Sequence, residues 1–345
     1  MPKSRILMPR LSTLGVAALT VLIASAAPHA DEPKIGQKVE RKGDEIVVCG
    51  QLFHTTTPVV LWLDPGGYDA YRVERRFSAL KEASWKATEE AKVLKSPNRF
   101  SMRTKGLSAE QIERVRGGGW DLDTLRGVVD QFVVHFDARG TSKGCFQVLH
   151  DQRGLSVHFM LDIDGTIYQT LDLKESAWHA TIANGRSVGI EIANVGAYAV
   201  SGTQGDEVFS KWYKKGPDGK THLTVPNGLE NSGLRDRTTD FRPIRDVPVV
   251  GEVQGQTLKQ YDLTPQQYES LTKLTATLCT IFPKIKCDYP RDKDGKLALK
   301  KLVGEDYTSY EGILGHYHVQ TNKVDPGPAF QWDRLIDGAR KLMAK

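Results

Sequence analysis

Three stretches of the chain set metal-binding or proton-transferring side chains among apolar or rigid neighbours. His135 stands near the end of the run Gln131-Phe132-Val133-Val134-His135-Phe136. An imidazole inside such a run is either a hydrogen-bonded core residue or a metal ligand, and alone it does not decide between them. His158 and His179 raise the same question. Glu191 sits inside Ser187-Val188-Gly189-Ile190-Glu191-Ile192-Ala193. Burying a carboxylate there is costly unless it is paired or functional; the alternative is an edge position turned to water. The third stretch runs from His316-Tyr317-His318 to Lys323-Val324-Asp325-Pro326-Gly327-Pro328. One loop of this kind can fold a nitrogen and an oxygen ligand around an ion while Lys323 points into the same pocket. A solvated turn before a helix would explain Asp325-Pro326 but not the histidines beside it.

The elements that must position these residues are legible in outline. Gln131–Phe136 reads as a buried strand, as does Ser187–Ala193. Val157–Ile163 and Thr166–Thr170 flank Asp164-Gly165, which predicts a two-residue hairpin turn where glycine tolerates positive φ. Ile313–His316 reads as a late short strand. Thr264 is an N-cap, Pro265 the first helical residue and Gln267 its capping-box partner. Tyr268, Leu271, Leu274, Leu278 and Ile281 then recur on one helical face. Pro328–Leu342 is an amphipathic terminal helix. Strands alternating with helices predict an α/β domain whose mixed central sheet is flanked by helices. Upstream, Glu45–Val48 and Val59–Leu63 are β-like, and Ser108 with Gln111 starts a short helix. Residues 31–129 thus read as an accessory region, 130–345 as the main domain, and 198–260, polar and rich in Gly, Pro and Asp, as a long insertion.

Composition sets the class. With 39% hydrophobic and 26% charged residues, the chain of 345 residues is neither disordered nor membrane-embedded. Its net charge of +5 suits a polyanionic partner but equally a plain solvated surface. Lys3, Arg5 and Arg10 precede an apolar run from Leu11 to Ala27 that ends in small residues, the pattern of a secretory signal peptide over residues 1–30. The expected location is therefore exported, periplasmic or secreted, with no stable membrane insertion once the signal is cut. Export would let Cys49, Cys145, Cys279 and Cys287 form disulfides. Cys279 and Cys287 would close a short loop around Pro283, though four cysteines allow three pairings. None has metal-site spacing.

Residues 130–345 resemble the zinc-dependent N-acetylmuramoyl-L-alanine amidases of the amidase-2 type, relatives of peptidoglycan recognition proteins. The resemblance rests on five blocks in family order. They are Val133-Val134-His135, Ser156 through Gln169, Ala177-Trp178-His179-Ala180, Ser187 through Glu191, and Gly315-His316 through Pro328. The 198–260 insertion and residues 31–129 fall outside it. It implies that His135, His316 and Asp325 bind Zn2+, that Glu191 is the catalytic acid/base, and that Lys323 is the Lys two residues before the last ligand. His158, Trp178 and His179 would line the substrate groove. The loop from His316 to Asp325 is a residue shorter than in many bacterial members, which makes His318 the alternative ligand. The implied reaction is hydrolysis of the bond between N-acetylmuramic acid and L-alanine in peptidoglycan or muropeptides. Zinc would activate a water, since two imidazoles and a carboxylate leave a fourth position open. No nucleic-acid partner is expected.

Two other classes compete. Some relatives hold muropeptides without cutting them, and loss of a ligand or of the acid/base would mark that class; here all are present. An unrelated zinc hydrolase would carry His-Glu-x-x-His or a His-x-His-x-Asp-His cluster, and neither occurs.

Overall fold

The strands that carry the candidate residues pair side by side. In chain order they are β1 (Val59–Leu61), β2 (Gln131–Phe136), β3 (Phe159–Leu161), β4 (Ile167–Gln169), β5 (Ser187–Ile192) and β6 (Gly312–Gly315). They form one six-stranded sheet in the order β6-β2-β5-β3-β4-β1. β6, β2, β5 and β3 are mutually parallel, β4 runs antiparallel to β3, and β1 is parallel to β4. The sheet is mixed and flanked by helices, as the alternation of elements implies. The computed structural model describes residues 1–2, 34–226 and 228–345. Nearly all of the expected signal peptide lies outside the described residues.

Residues 41–345 form one compact unit, and residues 1–40 are assigned to a separate one. β1, from the upstream region, is an edge strand of the central sheet rather than part of a detached module. Arg103, from the same region, has no exposed surface and donates to the carbonyls of Leu173, Asn184 and Ser187. A hairpin of Glu45–Val48 with Gln51–His54 is also built there.

Four helices matter to the site: α1 (Ser142–Phe146), α2 (Gln204–Trp212), α3 (Pro265–Ile281) and α4 (Trp332–Met343). α3 starts with the expected capping box, Thr264 Oγ1 accepting from Gln267 N while Gln267 Oε1 accepts from Thr264 N. Leu271, Leu274 and Leu278 on α3 are fully buried. At about 2 kcal/mol each, such burial holds the helix on the sheet. They pack with Phe132, Val134, Val188, Ile190, Ile192, Phe159, Leu161 and Ile313, one alternating set of side chains from four strands. Val133 and Leu314 point the other way, into a separate cluster, and Met160 into a third. Parity therefore puts His135, Gly189 and Glu191 on the face opposite α3.

Two local expectations shift. The β3–β4 turn is a three-residue loop, Ile163–Gly165, closed by Asp162 N donating to Thr166 O. Gly165 takes φ 83°, and a Cβ there would lie 2.9 Å from Gln266 O at the start of α3. The bend thus has to fit under the helix as well as reverse the chain. α4 begins at Trp332, four residues after Pro328. The 198–260 segment is ordered: it contributes α2, a Tyr213–Lys215/Thr221–Leu223 hairpin and the antiparallel set Tyr198–Ala199, Gln256–Gln260 and Val249–Val253. The four cysteines are free thiols, with Cys279 and Cys287 sharing a hydrogen bond that raises the first and lowers the second.

Candidate active site

The candidate residues gather at the carboxyl ends of the parallel strands. His135 is the penultimate residue of β2, Glu191 of β5, and His316 directly follows β6. Ligands commonly bind beyond such strand ends because the loops there diverge. His135 Nδ1 lies 2.9 Å from His316 Nδ1 and 2.9 Å from Asp325 Oδ2, and His316 Nδ1 lies 3.0 Å from the same oxygen. The three residues are 1%, 5% and 7% exposed, so water scarcely shares their hydrogen bonding.

The outer nitrogens fix how these rings are presented. His316 Nε2–H donates to Gln320 Oε1 at 2.5 Å, which leaves the Nδ1 lone pair facing the cluster. His135 Nε2 is 2.9 Å from His179 Nδ1, and His179 Nε2 is 3.2 Å from Ser187 Oγ. With Nδ1 of His135 also facing inward, its Nε2–H donates to His179, which donates on to Ser187. Burial first, and then the neighbouring His316, push the His135 imidazole down to about 4, so it is neutral at ordinary pH. Burial works to raise Asp325, yet the His316 and His135 rings outweigh it and hold the carboxyl well below its usual range. Two imidazole nitrogens and one carboxylate oxygen, all within 3.0 Å of one another, fit a cation. Donors at about 2.0–2.2 Å from a tetrahedral ion would sit roughly 3.3 Å apart, so a few tenths of an ångström of opening suffices. The donor set matches a borderline metal such as zinc.

The loop bearing Asp325 is clamped from the 198–260 segment. Gln254 Nε2 donates to Tyr317 O and Gln320 O. Gln260 Nε2 donates to Pro326 O, and its Oε1 accepts from Ala329 N. Neither glutamine stood out in the sequence, because a polar residue in a Gly- and Pro-rich segment looks the same whether it faces water or a buried carbonyl.

Glu191 is half-buried, and its Oε2 is enclosed with no hydrogen-bond partner among the described residues. Burial raises its carboxyl well above the normal range, Asp325 and Asp137 add to this, and Lys323 opposes them. A carboxyl whose proton affinity is raised in this way is suited to taking up a proton and giving it back. The same Lys323 charge also acts on His135, and among the described residues its ammonium has no hydrogen bond or ion pair.

The remaining candidates divide. His179 is half-buried over Gly189, where a Cβ would come 2.5 Å from the ring, so only glycine leaves it room. Trp178 is half-buried, with Nε1 donating to Ser101 Oγ. His158 has no exposed surface: Nδ1 accepts from Gly189 N, while Nε2 meets Glu175 O and Arg103. The structure therefore places His158 behind His179 rather than at a surface. His318 is likewise enclosed, Nδ1 accepting from Gly315 N and Nε2–H donating to Ala298 O, so both its nitrogens are engaged away from the cluster.

A mixed α/β sheet with a His-His-Asp cluster at its strand ends, beside an enclosed glutamate, defines a hydrolase with a candidate metal site. Residues 125–328 match the family model described as Amidase_2, N-acetylmuramoyl-L-alanine amidase, and the chain belongs to that family of peptidoglycan-directed amide hydrolases. Among solved structures it is similar to a selenomethionine derivative of AmpD, at 16% identity and TM-score 0.30, covering 70% of this chain and 89% of that one. AmpDh3 from Pseudomonas aeruginosa with anhydromuramic pentapeptide has 16% identity and TM-score 0.33, covering 61% and 59%. AmiD from E. coli with anhydro-N-acetylmuramic acid-L-Ala-D-gamma-Glu-L-Lys also has 16% identity and TM-score 0.33, covering 61% and 57%. The chain thus spans under two thirds of the length of the last two. No curated protein matches it.

Proposed function

We propose that this chain hydrolyses the amide between N-acetylmuramic acid and L-alanine in muropeptides, with zinc held by His135, His316 and Asp325. When bound, zinc supplies Lewis acidity and makes water nucleophilic near neutral pH. Glu191 takes the proton from that water and returns it to the departing amine, a role its raised proton affinity supports. Lys323 balances negative charge that develops on the former carbonyl oxygen. His179 and Ser187 orient His135, and Gln320 orients His316. Trp178 and His179 line the groove, and His158 supports His179 from behind.

The observation that carries this reading is the convergence of His135 Nδ1, His316 Nδ1 and Asp325 Oδ2 on one point. Incubating the zinc-loaded protein with a defined muropeptide and identifying products by mass spectrometry tests it. Peptide beginning at L-alanine together with a peptide-free muramyl sugar is the expected pair. Cleavage at any other bond would overturn it. The basic and apolar residues 3–27 further support export of the chain to the periplasm or beyond.

A further inference from the structure

The ends of β2 and β5 lead into a crevice of about 620 Å³ whose far wall is the 198–260 segment. Arg139 and Lys143 line it from the stretch after β2, and Lys211 and Trp212 from α2. No carboxylate is among the lining residues; Glu207 and Glu230 lie on the same elements but outside it. Lys143 is partly engaged, its Nζ donating to Asn231 O at 2.9 Å. The Arg139 guanidinium and Lys211 ammonium make no hydrogen bond or ion pair among the described residues. The wall is firm: a Cβ on Gly140 would lie 2.5 Å from the Trp212 ring, so the indole rests directly on the backbone. The carboxyl nearest Arg139 in sequence, Asp137, has its Oδ2 enclosed and is raised to about 7 by burial, while Arg139 and Lys211 are exposed. Three cations on one concave surface attract an anion from solvent.

Distance sets which anion. Ala138 on the crevice is three residues past His135, and Val195 is four past Glu191. Those spans are at most about 11 and 14 Å of chain. An extended peptide covers about 3.5 Å per residue, so residues two to four of a peptide cut at its first residue reach this far. We infer that this crevice binds carboxylates of the peptide portion of the substrate, with Arg139 and Lys211 distinguishing charged from neutral stems. The inference rests on the amidase reading for what is bound. It gives the 198–260 segment a role in choosing substrate beyond clamping the Asp325 loop.

Calorimetric titration of the full, zinc-loaded chain with the cleaved peptide L-Ala-D-γ-Glu-L-Lys, and with its analogue amidated at the glutamate α-carboxyl, tests it. Wild type should bind the acid about tenfold more tightly than the amide, with the preference shrinking as salt rises. R139Q/K211Q should lose the preference, and R139K/K211R should keep it. Equal affinity of wild type and R139Q/K211Q for the acid peptide would overturn the inference. The titration breaks no bond, so failure to cleave muropeptides would count against the amidase reading alone.

Discussion

His135 and Glu191 face each other as Cα partners in the parallel pairing of β2 with β5. A candidate metal ligand and a candidate proton carrier are thereby fixed by sheet register, on the face that α3 does not cover. A one-residue slip would turn both side chains into the helix-covered core. The loop residues His316 and Asp325 have to come to them.

Glu191→Gln keeps the size of the side chain and removes its capacity to carry a proton. Turnover should fall by about 10²-fold or more, with metal content unchanged. Kinetics on a defined muropeptide and metal analysis of the same preparation check this; wild-type rates would remove Glu191 from the reaction.

Asp325→Ala and His316→Ala should each lower bound zinc, measured after dialysis against a weak chelator. His318→Asn should keep its zinc but unfold more easily, because the ring bridges Gly315 N and Ala298 O in the core. Zinc lost from the His318 variant alone would exchange the two histidines' roles.

Arg103→Met should lower stability by about 3 kcal/mol or more in denaturant melts, since it strands the buried carbonyls of Leu173, Asn184 and Ser187. Burial brings the guanidinium down to about 10, with the Glu175 charge opposing that fall. An unchanged midpoint would mean that water reaches those carbonyls.

His222, in the hairpin of the 198–260 segment, lies between Asp218 and Asp240, with Arg242 beside both. Hydrogen bonds that the ring donates to Asp218 and then to Asp240 raise its proton affinity above the free imidazole. The sign follows: the stabilisation is complete below about pH 6.5, the unfolded value, and is lost as pH rises through the higher folded value. Proton NMR of the imidazole should show a midpoint above 6.5 that drops in Asp240→Asn. A midpoint at or below 6.5 would show that these contacts do not persist in solution.

Much of this was legible because short-range rules governed it. Gln131–Phe136 and the Thr264 capping box are set by a short apolar run and by three-residue spacing, and both occur as read. Thr264, Pro265 and Gln267 needed no distant partner to declare a helix. What was not legible depends on contacts distant in sequence. β1 joins the sheet beside β4 more than a hundred residues away, and Gln254 and Gln260 reach carbonyls of the metal loop. α2 was hidden by the glycines and charges around it, and its apolar side chains find their partners, Val195, Tyr198, Tyr213, Leu223 and Tyr261, once folded. His158 looked like a groove residue because the motif cannot say which side of Gly189 it occupies.

Anomalous scattering at the zinc edge, from crystals grown with zinc, tests the central claim most directly. A single strong peak among His135 Nδ1, His316 Nδ1 and Asp325 Oδ2 is the predicted result. Zinc bound elsewhere, with no peak among these three side chains, would contradict it.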